Sequence, residues 1–198
     1  MKILFATQNS NKQAEARRIL SNLDLLFPSD FPKVENLDPE ETGTTFQENS
    51  ALKAVAFGDQ TQVLSFADDS GLVVEALDGF PGVNSKRFID GSDIDRNKEI
   101  LNRLKDEKNR NAKFFTDIAI YDPISKKIDH VQGEVIGKIA LSSSGVSGFG
   151  YDPIFIPNGY DKSFAELGQD VKNEISHRAV ALKQLKKYLL KNELILNN

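Results

Sequence analysis

The apolar positions along the chain change their period several times, and each change marks an element. Residues 3–6, ILFA, form a short continuous apolar run before a polar stretch, which predicts a buried strand feeding a loop. From Lys12 the spacing lengthens, and Ile19, Leu20 and Leu23 share one face of a predicted helix over 12–23. Residues 27–43 are rich in proline and acid and predict mostly loop. Thr45 followed by Glu48 has the spacing of a capping box, so a second helix is predicted to start near Thr45, with Gly58 as its stop. Two β-rich runs, 63–67 and 72–77, predict strands on either side of the doubled charge Asp68-Asp69. DGFPG at 78–82 predicts a turn, and 95–109 a surface helix with a narrow apolar stripe. Residues 112–122 and 127–141 predict two or three longer strands, 142–153 a glycine-rich loop, and 154–156 a short strand. The last helix is predicted over 175–190, with Ala179, Leu182, Leu185 and Leu189 turned inward. Helices and strands alternate at both ends and strands crowd the middle, which predicts an α/β domain with a mixed sheet.

The 198 residues carry no repeat and no low-complexity linker, so one domain over 1–198 is expected. There is no cysteine, which excludes disulfides, thiolate metal sites and a thiol nucleophile. The formal net charge of −4 gives no global field for nucleic acid, so no nucleic-acid partner is expected. No apolar stretch approaches the roughly 20 residues that span a bilayer, and the first apolar run is too short for a signal-peptide core. The expectation is a cytoplasmic protein with no membrane partner.

Local charge is placed against stability in three stretches. The first is TQNSNK: Thr7, Gln8, Asn9, Ser10, Asn11 and Lys12 follow a strand and open a helix. A lysine at a helix start is unfavourable unless an anion sits there, and the short polar side chains suit a phosphate-binding turn, although an ordinary polar connection has the same composition. The second is the start of the last helix. Ser176 is a good N-cap, and Ile175 and Val180 have the spacing of a hydrophobic staple. His177 and Arg178 then occupy the positive end of the helix, with Lys172 close by in sequence. They either donate hydrogen bonds to an oxygen-rich ligand or point into water. The third is the acidic set of Glu40, Glu41, Asp68 and Asp69. At a strand end, one aspartate can enter a cleft while the other braces the turn at Ser70-Gly71. Carboxylate oxygens suit Mg²⁺, which needs only one or two of them beside waters and substrate phosphates. Asn49 and Lys53 share a helix face, from which Lys53 reaches phosphates if that face looks at the cleft. In the glycine loop, Phe149 between Gly148 and Gly150 can stack on a flat ring or pack on the core. Taken together these features describe a nucleoside polyphosphate bound with Mg²⁺.

TQNSNK, EETGTTFQENSALKA, ADDSGL, PGVNSKRF, SGFGYDPIF and KNEISHRAVAL, in this order, resemble the inosine triphosphate pyrophosphatase family over nearly the whole chain. The resemblance implies an elongated two-lobed α/β domain with a central mixed sheet, a cleft between the lobes, and usually a homodimer. It implies that Thr7 to Lys12 hold the triphosphate and that Glu40 and Asp69 ligate Mg²⁺. Asp69 would also be the general base. Lys53, Ser70 and Lys172 would contact substrate, Phe149, Gly150, Tyr151 and Asp152 would frame base and sugar, and His177 and Arg178 would face the purine edge. The activity it implies is hydrolysis of ITP, dITP or XTP to a monophosphate and pyrophosphate, by attack of water at the α-phosphorus. The alternatives are a pyrophosphatase for pyrimidine or modified nucleotides, and a nucleotide-binding module without turnover. The chain departs from the family pattern at Asn84, where an aromatic is usual, at Lys86, where a small residue is, and at Gln8, where glycine is frequent. The first two bear on local packing or on a subunit contact.

Overall fold

The structure, a computed structural model, describes residues 2–194. Its six strands form one sheet in the order β2-β1-β3-β4-β5-β6: β1 (Lys2–Phe5), β2 (Asp24–Leu26), β3 (Ser65–Val74), β4 (Asn111–Tyr121), β5 (Ile128–Ile139) and β6 (Phe155–Pro157). β1 runs parallel to β2 and to β3, and β5 antiparallel to β6, so the sheet is mixed. The helices are α1 (Ser10–Ile19), α2 (Phe46–Thr61), α3 (Asp93–Arg103), α4 (Phe164–Ile175) and α5 (His177–Lys191).

The chain divides into two compact units. One takes residues up to 69, then 116–133 and from 179 onward; the other takes 70–115 and 134–178. In the first unit the pleat sorts side chains onto two faces. Ile3, Phe5, Phe66, Ile118 and Ile120 pack with Ala16 and Leu20 of α1 and with the inner face of α5, where Leu182, Leu185 and Leu189 are fully buried as predicted. Leu4, Ala67, Ala119 and Tyr121, at the alternate positions, pack with Ala54 and Phe57 of α2. The second unit has one core, in which Leu72 and Val74 of β3 and Phe114 of β4 meet Ile100 and Leu104 of α3, Phe155 of β6 and Phe164 of α4.

Several predicted elements shift. The two strands expected around Asp68-Asp69 are a single strand of ten residues, and no turn at Ser70-Gly71 separates them. α2 begins at the capping box of Thr45 and Glu48 but runs one turn past Gly58, ending where Gln62 takes the left-handed conformation. Gly58 is small for packing: a Cβ there would lie 2.6 Å from Ser65 Oγ and 2.6 Å from the Tyr121 ring. β2 and α4 are additional to the predicted elements. α4 carries a non-helical residue inside it, Gly168 at φ 82°, and this break interrupts the apolar period that would have revealed it.

Candidate active site

In the first unit the pleat of β3 sends its two aspartates to opposite faces. Asp68 lies on the α1 face, with Phe66; Asp69 lies on the α2 face, with Ala67. Each meets a lysine from the helix on its own side. Lys12 of α1 donates to Asp68 Oδ1 at 3.0 Å, and the Asp68 side chain is 1% exposed. The anion that makes a lysine favourable at this helix start is therefore the chain's own carboxylate. Lys53 of α2 donates to Asp69 Oδ1 at 3.2 Å and to Glu41 Oε1 at 2.5 Å, while the Asn49 amide lies 3.4 Å from Asp69 Oδ2. Asn49 and Lys53 thus share the face expected of them.

Burial pushes the Asp69 carboxyl above the usual aspartate range and Glu41 adds to this, against the pull of Lys53 and Lys12. Burial draws the Lys53 ammonium down, but Asp69, Asp68 and Glu41 outweigh it and hold it above the usual lysine range. The two directions agree physically. The Lys53 ammonium collects the field of three carboxylates, whereas Asp69 is buried and is repelled by Glu41 while it shares Lys53 with it.

The predicted anion turn is ordered by its own side chains. Asn9 caps α1, its Oδ1 accepting from the amides of Asn11 at 3.0 Å and Lys12 at 3.3 Å. Thr7 Oγ1 accepts from the Asn9 amide at 3.3 Å, and Ser10 and Asn11 are exposed. Gln8, at the position where the resembling family often has glycine, reaches the carbonyls of Glu35 at 2.9 Å and Leu37 at 3.1 Å and so fixes the loop that leads to Glu40. Glu40 is exposed and makes no ion pair among the described residues. No group of three or more acidic or histidine side chains is gathered for a metal among the described residues. The glutamate that shares Lys53 with Asp69 is Glu41 rather than Glu40, and carboxylate oxygens of this kind suit a hard cation that takes most of its ligands from water and phosphate.

In the second unit, His177 and Arg178 open α5 and are buried, Arg178 being 2% exposed, so they do not point into water. His177 stacks on Phe114, with ring centroids 4.7 Å apart, and Arg178 Nη2 donates to Ser70 Oγ at 3.0 Å. Lys172, 3% exposed, donates to Asp152 Oδ2 at 2.6 Å and lies 4.0 Å from the Phe149 ring centroid, and Arg178 lies 5.8 Å from it. Phe149 is half-buried beside these cations rather than packed into the core cluster. Asp152 also accepts from the Phe149 amide at 2.8 Å, so it braces both the ring and the lysine. The glycines of this loop serve close approaches within the unit: a Cβ at Gly148 would lie 2.1 Å from Asp152 Oδ2, and one at Gly145 would lie 2.4 Å from the Ala165 backbone. Tyr151 is buried, with its hydroxyl donating to the Ser85 carbonyl. Asn84 and Lys86, the departures in that segment, are exposed and leave its packing to Ser85.

The sequence reading did not find a buried cluster around Asp117. This fully buried carboxylate accepts from Ser50 Oγ at 2.5 Å, lies 2.8 Å from His130 Nδ1, and accepts from Gln132 Nε2 at 3.0 Å. It ties α2 to β4 and β5 one residue along from Asn49. Its signal was a charge inside the apolar run of β4. Asp93 and Asn97, which bond the Gly150 peptide, had no signal at all.

Known proteins match the chain over nearly its whole length. The Ham1 family model matches residues 3–188. A protein of Aquifex aeolicus named dITP/XTP pyrophosphatase is 43% identical, covering 97% of this chain and 98% of its own, and one of Listeria monocytogenes with the same name is 43% identical, covering 95% and 94%. Among solved structures, a HAM1 protein from Coxiella burnetii matches with TM-score 0.87 and 38% identity over 96% of this chain and 99% of its own. The Staphylococcus aureus Ham1 protein matches with TM-score 0.87 and 35% identity over 97% and 100%. The match takes in both units and every segment in which charge was placed against stability, and on that evidence this chain belongs to the Ham1 family.

Proposed function

We propose that this protein hydrolyses non-standard purine nucleoside triphosphates, ITP, dITP and XTP, to the monophosphate and pyrophosphate, with Asp69 as the general base. The reading rests on one observation above the others: a buried carboxylate with a raised pKa, beside a lysine and an amide, in a family whose relatives carry the name dITP/XTP pyrophosphatase. A base is most effective when its pKa lies near working pH, and burial moves Asp69 in that direction.

In this reading Asp69 takes a proton from the water that attacks the α-phosphorus. Lys12 and Lys53 lie where negative charge on the leaving pyrophosphate is neutralised, and Thr7 to Asn11 contribute short hydrogen-bonding groups to the phosphates. Asp69 and Glu40 are the residues to hold Mg²⁺, which when bound supplies charge neutralisation at the phosphate oxygens. Phe149 offers a ring, and Arg178 and His177 can donate to the C6 oxygen of hypoxanthine or xanthine. Adenine presents an amino group there, leaving a buried donor unpaired at about 1–3 kcal/mol each. On the footing of the resemblance, the working form is a cytoplasmic homodimer.

The test is pyrophosphate release over a panel of purine and pyrimidine triphosphates, with and without Mg²⁺. ITP and XTP are expected to lead, and Asp69→Asn to lose about 10²–10⁴-fold in kcat while still binding ITP. Faster turnover of dTTP or UTP than of ITP, or wild-type turnover by Asp69→Asn, overturns the reading.

A further inference from the structure

We propose that Asp93 and Asn97 are positioning residues for base recognition, holding the Gly150 peptide and, through it, the Phe149 ring; the inference rests on the nucleotide reading above. The Gly150 N–H donates to Asp93 Oδ2 at 2.8 Å, and Asn97 Nδ2 donates to the Gly150 carbonyl at 3.0 Å. The two side chains are four apart on α3 and so share a face, and the Ser92–Asp95 capping box fixes the start of that helix. Both backbone polar groups of Gly150, in the two successive peptides that flank its Cα, are thereby used by one helix. The Phe149 amide is bound in turn by Asp152, so the backbone that carries the ring is held on both sides of Phe149.

The clamp leaves one side of the peptide open. Gly150 adopts φ 62°, and a Cβ there would meet no atom within 4 Å. With its N–H and carbonyl engaged, Gly150 presents bare backbone beside a half-buried phenyl ring. That surface suits the flat face of a base and leaves the polar edge to Arg178 and His177. A second, independent observation is the cost that Asn97 carries. It is 3% exposed, and its Oδ1 is buried with no hydrogen-bond partner among the described residues. Alanine would avoid that orphaned acceptor and is the better helix former, so what asparagine contributes here is its grip on Gly150.

The test uses the full chain, with kcat and KM for ITP and inhibition by each product taken separately. Asn97→Ala and Asp93→Ala are expected to raise KM for ITP and the inhibition constant of inosine monophosphate about tenfold, with kcat within about threefold. Inhibition by pyrophosphate is expected to stay unchanged, because neither residue touches the groups assigned to the phosphates. Asp93→Asn, which keeps an acceptor for the Gly150 N–H, is expected to recover most of the affinity that Asp93→Ala loses. Asn97→Asp, which keeps the side-chain size but removes the donor, is expected to behave as Asn97→Ala and serves if the alanine variant does not fold. Folded variants with wild-type inhibition by inosine monophosphate overturn the inference, as do parallel losses for both products. A wild-type protein that binds no inosine monophosphate overturns the nucleotide reading with it.

Discussion

Two adjacent aspartates and two lysines could pair in either combination, and at the scale of single residues the pleat decides between them. Lys12 comes from 56 positions away from Asp68 in sequence and Lys53 from 16 positions away from Asp69, yet each pairing follows from the face on which its helix lies. The two partners of the first pair are unequally placed, the Lys12 side chain being 17% exposed and that of Asp68 1%. Removing the lysine takes a cation away from a carboxylate that is almost wholly buried, whereas removing the acid leaves a lysine with partial access to water. Lys12→Met is therefore expected to destabilise the ligand-free protein by about 3–5 kcal/mol, and Asp68→Asn by clearly less. Urea midpoints of the two variants check the order, and a larger loss for Asp68→Asn contradicts the burial argument.

At the scale of elements, local chemistry was the most legible. The Thr45–Glu48 capping box could be read because its groups lie within one helical turn, and the inner face of α5 because four leucine and alanine positions hold one period. Gly58 was misread for the same reason in reverse. Its purpose is set by Ser65 and Tyr121, on strands that a local reading does not bring near it. The space around it makes a prediction against helix propensity: Gly58→Ala gains about 1 kcal/mol as a helix former but overpacks two buried side chains. The net expectation is a loss of about 1–2 kcal/mol, seen as a melting temperature lower by about 2–6 °C. A stabilised variant would show that α2 can retreat from the sheet. The Asp117 cluster belongs to this scale too, since Ser50 holds α2 against β4 and β5 and so sets the rotation that turns Asn49 and Lys53 toward Asp69.

For the molecule as a whole, phenol burial sets an alkaline limit. Burial and the neighbouring Asp129 carboxylate push the Tyr188 hydroxyl up to about 12, and burial raises Tyr151 further still. A folded-state pKa raised above the unfolded value of about 10 gives stability that is complete below pH 10 and lost as pH rises through the folded value. Unfolding free energy is expected to be flat across pH 8–10 in this respect and to fall between about pH 10 and 12, as read from the loss of helix by circular dichroism. Ionisation of Tyr188 or Tyr151 in a protein that keeps its helices, read for each ring separately by NMR, would contradict their placement. Both lie in packed surroundings, Tyr188 against Asp129 at 2.5 Å and Tyr151 in the core of the second unit.

The sequence by itself determined what depends on neighbours along the chain: the capped helix starts, the inward face of α5, the absence of thiol chemistry, and the identity of residues in which charge opposes stability. It also carried the family's motifs in order. The tertiary structure decided what those charges meet. Asp68 and Asp69 lie within one continuous strand because lysines from two different helices neutralise them, and a doubled charge looks like a strand end only while its partners are out of sight. Likewise, Arg178 and His177 are buried although their local setting at a helix start is unfavourable, because Ser70 and Phe114 receive them there. Caps and periods act over a few residues and can be read from a line of text; ion pairs and stacked rings act through space, and only the sheet brings their members together.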